Sequence, residues 1–113
     1  MKTIGMLGGM SWESTAVYYR LINQRIKDKL GGLHSSKICL YSVDFSELEA
    51  YLREDNWDEI IKILKSAAQK VEAGGADFLI ICTNTMHKII SEVEDSISIP
   101  ILHIADAAAE VLI

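Results

Sequence analysis

The residues best suited to chemistry lie together at positions 82 to 85, where a thiol is followed by two hydroxyls and an amide. They come directly after the apolar run 78–81, which contains no Gly or Pro and is typical of a buried strand. From position 86 the apolar residues fall at helical spacing, so the sequence predicts a strand-to-helix turn with Thr85 as the helix N-cap. Cys82 would then lie beside the positive end of a helix.

Such a position would change the chemistry of the thiol. A helix N-terminus favours the charged form of a cysteine and so lowers its pKa, and the thiolate is the form that acts as nucleophile or base. Thr83, Asn84 and Thr85 would add donors suited to a bound carboxylate or a developing enolate. The alternative is that Cys82 is a small buried hydrophobe and that the three polar residues are ordinary turn material.

The elements that would position this turn alternate along the chain. Apolar runs bounded by polar or glycine residues predict strands at 3–7, 38–43, 78–81 and 98–103. Cap residues and helical periodicity predict helices that begin at or near Ser11, Ser46, Asn56, Thr85 and Asp106. In the first helix the predicted buried stripe is Tyr18, Leu21, Ile22 and Ile26. This alternation predicts an α/β fold with a parallel, doubly wound sheet of about four strands and flanking helices.

In such sheets ligands bind beyond the carboxyl ends of the strands. The residues predicted to meet at that edge are Gly8 to Ser11, Asp44, Cys82 to Thr85, and His103. The first glycine turn does not match the dinucleotide fingerprint G-x-G-x-x-G, and no Walker lysine follows it. Its glycines are therefore expected to make a tight turn or to let backbone approach a small ligand, without binding phosphate.

Composition excludes several other classes of function. The 113 residues suffice for one domain, and an apolar share of 50% with a charged share of 24% is an ordinary globular balance. No apolar run reaches the roughly 20 residues of a membrane span, and a net charge of −5 disfavours a nucleic-acid surface. The two cysteines and three histidines are scattered, so neither a metal site nor a disulfide is predicted, and we expect a cytoplasmic protein. Cys39, inside an apolar run, is expected to be a core residue.

Four segments, in the same order along the chain, resemble the aspartate/glutamate racemase family, and most closely its broad-specificity amino-acid racemase branch. They are Met1 to Thr15, Ser42 to Phe45, Cys82 to Lys88, and Leu102 to Asp106. Members of that family act on small amino acids without pyridoxal phosphate or another cofactor. Two cysteines on opposite faces of the substrate exchange the Cα proton, because a single base does not easily serve both faces.

The resemblance also implies roles for individual residues. Cys82 would be one of the two bases. Thr83, Asn84 and Thr85 would hold the α-carboxylate of the substrate, while Met10 and Ser11 would close over it.

The chain departs from the family pattern in two respects. Family members have two similar α/β domains, and residues 1–113 resemble only the N-terminal one, so the second domain and its cysteine are missing and Cys39 does not replace that cysteine. We therefore expect a truncated chain or a half-protein that forms a homodimer, and an end inside a predicted helix favours truncation. Aspartate-selective relatives also carry an arginine after the second strand, where this chain has residues 46–49, Ser-Glu-Leu-Glu. Arg53, the nearest cation, is expected on the helix surface, so a broad substrate range is predicted.

Two other functions fit the same residues. One is a related decarboxylase or cis-trans isomerase that uses cysteine chemistry on small dicarboxylates. The other is a non-catalytic, flavodoxin-like module that binds a small anion or a protein partner, and it would have an unreactive Cys82.

Overall fold

The computed structural model describes residues 1–82 and 87–102, and in this part of the chain strands alternate with helices. The elements in chain order are β1 (Thr3–Gly8), α1 (Trp12–Leu30), β2 (Lys37–Ser42), α2 (Phe45–Arg53), α3 (Trp57–Ala73), β3 (Phe78–Ile81), α4 (His87–Glu94) and β4 (Ile101–Leu102). The strands form one sheet of four in the order β2-β1-β3-β4, and every pairing is parallel. The predicted parallel α/β sheet is therefore confirmed.

Helices cover both faces of the sheet, as a doubly wound fold requires. Because strand side chains alternate between faces, Met6 and Ile80 pack against α1 through Ile22 and Ile26. The opposite face packs against α2, α3 and α4, and its buried residues include Leu7, Leu48, Leu64, Val71, Leu79 and Val93. Each buried aliphatic side chain of this size contributes about 1.5–3 kcal/mol relative to an exposed one. The sheet is thereby fixed between two apolar layers.

Helix α1 buries a narrower stripe than its sequence predicts. Thr15, Ile22 and Ile26 are its buried residues, and their spacing of seven and four positions puts them on one helix face. Leu21 is 42% exposed, so its predicted burial is wrong. Successive helical residues are about 100° apart, so a stripe centred on Ile22 leaves Leu21 at its margin. The helix ends at Gly31, whose N–H donates to the Lys27 carbonyl.

Strands β1 and β2 agree with the predicted ranges to within one residue at each end, and two other predicted boundaries differ for reasons that hydrogen bonds explain. The N-cap of α2 is Asp44 rather than Ser46, because the Asp44 carboxylate accepts a hydrogen bond from the Ser46 N–H at 3.0 Å. Within the described residues strand β4 covers Ile101–Leu102, so it begins later than the predicted position 98. The Ser98 N–H and hydroxyl donate to the Glu72 carboxylate at 2.8 and 2.7 Å, which takes Ser98 out of strand pairing. The same hydrogen bonds from Ser98 lower the pKa of Glu72.

The predicted long helix, α3, follows Asn56 and ends before Gly74, although the Asn56 side chain makes no cap hydrogen bond. The predictions of Thr85 as an N-cap, of His103 at the strand edge and of a helix from Asp106 lie outside the described residues. Within the described part of the chain, no helix is both long and apolar enough to cross a membrane.

Candidate functional site

The carboxyl end of the central strand β1 lies between the ends of its two neighbours. The Cys82 N–H donates to the Leu7 carbonyl at 2.9 Å, which fixes the end of β3 beside β1. On the other side, the Val43 N–H donates to the Gly8 carbonyl at 2.9 Å and fixes the end of β2. Cys82 and the Gly8–Ser11 turn therefore share one edge of the sheet, as the sequence predicts.

Cys82 is fully buried, with 0% of its surface exposed, in the apolar cluster beneath α1. Burial raises the pKa of the Cys82 thiol to about 12 because desolvation disfavours the thiolate. This direction is opposite to the one predicted from a helix N-terminus. The thiol is thus protonated at neutral pH, so it can donate a proton, and it needs a further stabilising group before it can accept one.

The other residues of the predicted Cys82 turn are not part of the described structure. Thr83, Asn84 and Thr85 fall between Cys82 and the start of α4 at His87. Their predicted contact with a substrate carboxylate stays a prediction.

Gly9 makes the sharp turn that follows β1. Its φ of +93° is in the region that favours glycine. A Cβ at this position would also collide with the carbonyl and amide groups of Val43. The Gly9 N–H donates to the Thr15 hydroxyl at 3.0 Å in a buried hydrogen bond. The turn is thus held by close contact with one strand and by a hydrogen bond to α1.

Ser11 and Met10, the two predicted substrate contacts on this turn, have different surroundings. The Ser11 hydroxyl oxygen accepts a hydrogen bond from the Ser14 N–H at 3.3 Å, so Ser11 is the N-cap of α1, as predicted. Its hydroxyl proton can still donate to an external acceptor, since one hydroxyl group both donates and accepts. Met10 is half-buried and packs against the apolar cluster on the α3 face of the sheet.

The side chains of Asp44 and Arg53 both make their contacts within α2, and neither is placed as a cationic clamp for a substrate carboxylate. The Asp44 carboxylate caps α2 and is exposed. Arg53 Nε lies 3.8 Å from Glu49 Oε1 in an i,i+4 pair with both side chains largely exposed, so its predicted helix-surface role is confirmed. Within residues 1–82 and 87–102, no three His, Cys, Asp or Glu side chains are grouped to hold a metal ion.

The two cysteines are separated by the sheet. Cys82 packs on the face covered by α1. Cys39 Sγ instead lies against Gly74, at the C-terminal end of α3, on the other face. Cys39 is half-buried rather than fully enclosed, because β2 is the edge strand of the sheet. Cys39 therefore does not form a catalytic pair with Cys82.

Thr15 is the residue of this edge that the sequence patterns did not single out. It is 5% exposed and is the buried polar side chain of the described core. A signal was present, because Thr15 is seven residues before Ile22 and thus on the helix face that meets the sheet. That spacing puts a hydroxyl beneath the glycine turn.

Comparisons with known proteins agree with this architecture. At the level of sequence, the chain is 26% identical over 111 residues to the broad specificity amino-acid racemase RacX of Bacillus subtilis (strain 168), covering 91% of this chain and 46% of that protein. The fold is similar to a crystal structure of a proposed Asp/Glu racemase from Yersinia pestis, with a TM-score of 0.88, 50% identity, and coverage of 99% of this chain and 49% of that one. It is also similar to an aspartate racemase homologue from Pyrococcus horikoshii OT3, with a TM-score of 0.77, 31% identity and the same two coverages, 99% and 49%.

The chain thus spans about half the length of the relatives it matches. The sequence profile of the Asp/Glu/Hydantoin racemase family matches residues 7–113, nearly the whole chain. The resemblance noted in the sequence is confirmed, and the chain belongs to the Asp/Glu/Hydantoin racemase family.

Proposed function

We propose that this chain is one half of a cofactor-independent amino-acid racemase, in which Cys82 exchanges the Cα proton on one face of the substrate. The observation that carries the proposal is the position of Cys82 at the carboxyl end of β3, with its N–H donating to the Leu7 carbonyl near the end of β1, in a chain of this family. Ligands of parallel α/β sheets bind at this edge. The relatives are about twice as long, and the second proton-exchanging group comes from a second half like theirs.

The proton balance of the reaction assigns Cys82 its first role. Inversion needs a base that removes the Cα proton from one face and an acid that delivers a proton to the other. Since burial holds the pKa of Cys82 near 12, Cys82 enters the reaction as the thiol. It protonates the carbanion and leaves as the thiolate, while the partner base keeps the proton that it removed. In the reverse direction the two groups exchange roles.

The substrate carboxylate is held by donors on the two turns at this edge. On the first turn, the Ser11 hydroxyl proton is available, because among the described residues the Ser11 oxygen accepts from the Ser14 N–H and donates to no other group. Thr83, Asn84 and Thr85 supply the donors of the second turn, and Met10 covers the substrate from the first. Because the carboxylate is already charged in the bound substrate, these fixed donors hold it before the Cα proton leaves as well as while further negative charge develops on it.

The substrate range follows from the absence of a cationic clamp in the described residues. Arg53 pairs with Glu49, and Asp44 occupies the end of β2. A substrate side-chain carboxylate would meet no arginine there, so a broad range is proposed rather than strict aspartate specificity.

The test follows the Cα proton directly. The chain is incubated in D2O with the L- and D-forms of aspartate, glutamate and several neutral amino acids, and Cα deuterium is followed by NMR together with chiral analysis. The partner base is not among these residues, so the base available for exchange is the small thiolate fraction of Cys82. We expect slow exchange that grows with pH, is lost in Cys82→Ser and is kept in Cys39→Ser, the matched control that removes the other thiol. Inversion together with exchange would show a complete site in these 113 residues and would refute the half-site proposal.

A second candidate has one observation in its favour. The fully buried, protonated Cys82 is also what a non-catalytic module that binds a small anion would contain. Such a module would bind carboxylates without exchange in any variant. Exchange that depends on Cys82 would exclude it.

A further inference from the structure

We infer that Thr15 is a positioning residue of the site: its side chain holds the Gly8–Ser11 turn in the conformation that receives the substrate carboxylate. The inference rests on the proposed function for the identity of the ligand. Its structural half, a turn fixed by one hydroxyl, is independent of that function.

The Thr15 hydroxyl joins the two ends of the turn. It accepts a hydrogen bond from the Gly9 N–H at 3.0 Å and donates to the Ser11 carbonyl at 3.2 Å. The Ser11 carbonyl also accepts from the Thr15 N–H at 3.1 Å, which is the first intrahelical bond of α1. A single buried oxygen therefore fixes the backbone on both sides of Met10.

The Thr15 side chain is also fixed sterically. A Cβ at Gly8 would lie 2.5 Å from both Cγ2 and Oγ1 of Thr15, so the threonine occupies the space above that glycine. A β-branched side chain has few χ1 rotamers in a helix. Both branches of the side chain lie over Gly8, and in this rotamer the hydroxyl branch accepts from the Gly9 N–H.

This arrangement differs from the usual role of threonine in a helix. A helical Thr hydroxyl commonly donates to the carbonyl four residues before it, and the bond to Ser11 is of that kind. The bond from Gly9 is not, because its donor lies outside the helix and is buried. Gly9 has no strand partner for this N–H among the described hydrogen bonds, so Thr15 decides whether the donor is satisfied.

The consequence for the site concerns binding. Thr15 holds the Gly9 N–H and the Ser11 carbonyl, and the Met10 backbone lies between them. A loose turn would therefore spread the positions of both Met10 and Ser11. Misplaced donors weaken contacts with the carboxylate before and during the reaction alike, and a loss of this uniform binding raises KM more than it lowers kcat.

The experiment compares Thr15→Val, which keeps the shape and removes both hydrogen bonds, with Thr15→Ser, which keeps the hydroxyl. Ile26→Val is the stability control, because Ile26 is fully buried on the same face of α1 and distant in sequence from the turn. Each variant is measured in two ways: protection of the Gly9 amide from hydrogen exchange by NMR, and the substrate dependence of Cα deuterium exchange. We expect Thr15→Val to lose Gly9 protection and to raise KM about tenfold, the equivalent of one lost hydrogen bond of about 1.4 kcal/mol. Thr15→Ser and Ile26→Val are expected to stay within about threefold of the parent KM.

The two measurements separate the two proposals. A Gly9 amide that is unprotected in the parent chain overturns the inference even when Cα exchange proceeds. Lost protection in Thr15→Val with an unchanged KM overturns the positioning role. A protected Gly9 in a parent chain that exchanges no Cα proton refutes the proposed function, and the functional half of the inference with it. An equal rise in KM for Ile26→Val assigns the effect to general stability and also overturns the positioning role.

Discussion

The buried thiol of Cys82 should make the chain less stable as the pH becomes alkaline. Burial raises the pKa of Cys82 from 9.0 to about 12. Between these two values the unfolded chain has released the thiol proton and the native chain still holds it. The slope of unfolding free energy with pH is therefore negative, at about 1.4 kcal/mol per pH unit for one group. The contribution of Cys82 to the free energy of unfolding is therefore constant below about pH 9 and decreases as the pH rises toward 12.

The expected size can be worked out for one pH. At about pH 10 the unfolded thiol is about 90% ionised and the native thiol about 1%, so the parent chain loses about 1.4 kcal/mol relative to neutral pH through Cys82. The variant Cys82→Ala lacks this group, and all other side chains are common to both chains. The measured quantity is therefore the difference between parent and variant in unfolding free energy, at about pH 7 and about pH 10, by urea titration.

A second reading comes from alkylation. Below pH 9 the fraction of Cys82 present as thiolate is about three powers of ten smaller in the native than in the unfolded chain. Iodoacetamide labelling followed by peptide mass spectrometry should show Cys82 reacting far more slowly than the half-buried Cys39, with the difference lost in concentrated guanidinium chloride. Equal rates for the two cysteines, together with an equal pH slope for parent and Cys82→Ala, would refute the argument from burial.

Four further substitutions test the turn and the helices around the site. Gly9→Ala should destabilise the chain by more than about 2 kcal/mol, because a positive φ of +93° and a backbone clash act together. Gly32→Ala, with a φ of +60° and open space, should cost about 1 kcal/mol in urea unfolding. Asp44→Ala removes the N-cap of α2 and should cost about 1 kcal/mol, so an unchanged midpoint in urea would contradict the assigned cap. Arg53→Ala breaks only an exposed pair with Glu49 and should change stability by less than about 0.5 kcal/mol, which thermal unfolding at low and high salt can check.

The fold could be predicted because its signals are local. Ser11 before a helical stripe, Gly74 after one, and an unbroken apolar run at 78–81 each specify one element without knowledge of its neighbours. The alternation of these elements then predicts a parallel sheet. The N-cap of α2 was misassigned because Asp44 and Ser46 are both good cap residues, and only the path of the backbone decides between them.

The chemistry of the site was harder to predict because it depends on contacts between distant parts of the chain. The position of Cys82 at a strand end is local, but its pKa depends on whether α1 covers it, and α1 lies more than 50 residues earlier in the sequence. A helix N-terminus and burial act on a thiol in opposite directions, so the sequence could not decide the sign. Thr15 was missed for a related reason: its partner Gly9 is near in sequence, but the bond exists only because the turn folds back over the helix.

The hydrogen bonding of the central strand explains why the site forms where it does. At the end of β1, the Leu7 carbonyl accepts from Cys82 and the Gly8 carbonyl accepts from Val43. The next donor along the chain, the Gly9 N–H, is buried beyond the last pairing of the sheet, where an unsatisfied donor would cost about 1–3 kcal/mol. Thr15 accepts that hydrogen bond from the helix side. The edge of the sheet where strand pairing ends thus contains both the Cys82 thiol and the Gly8–Ser11 turn, and the shape of that turn depends on the Thr15 side chain. A substitution at Thr15 should therefore alter the turn and leave the sheet intact.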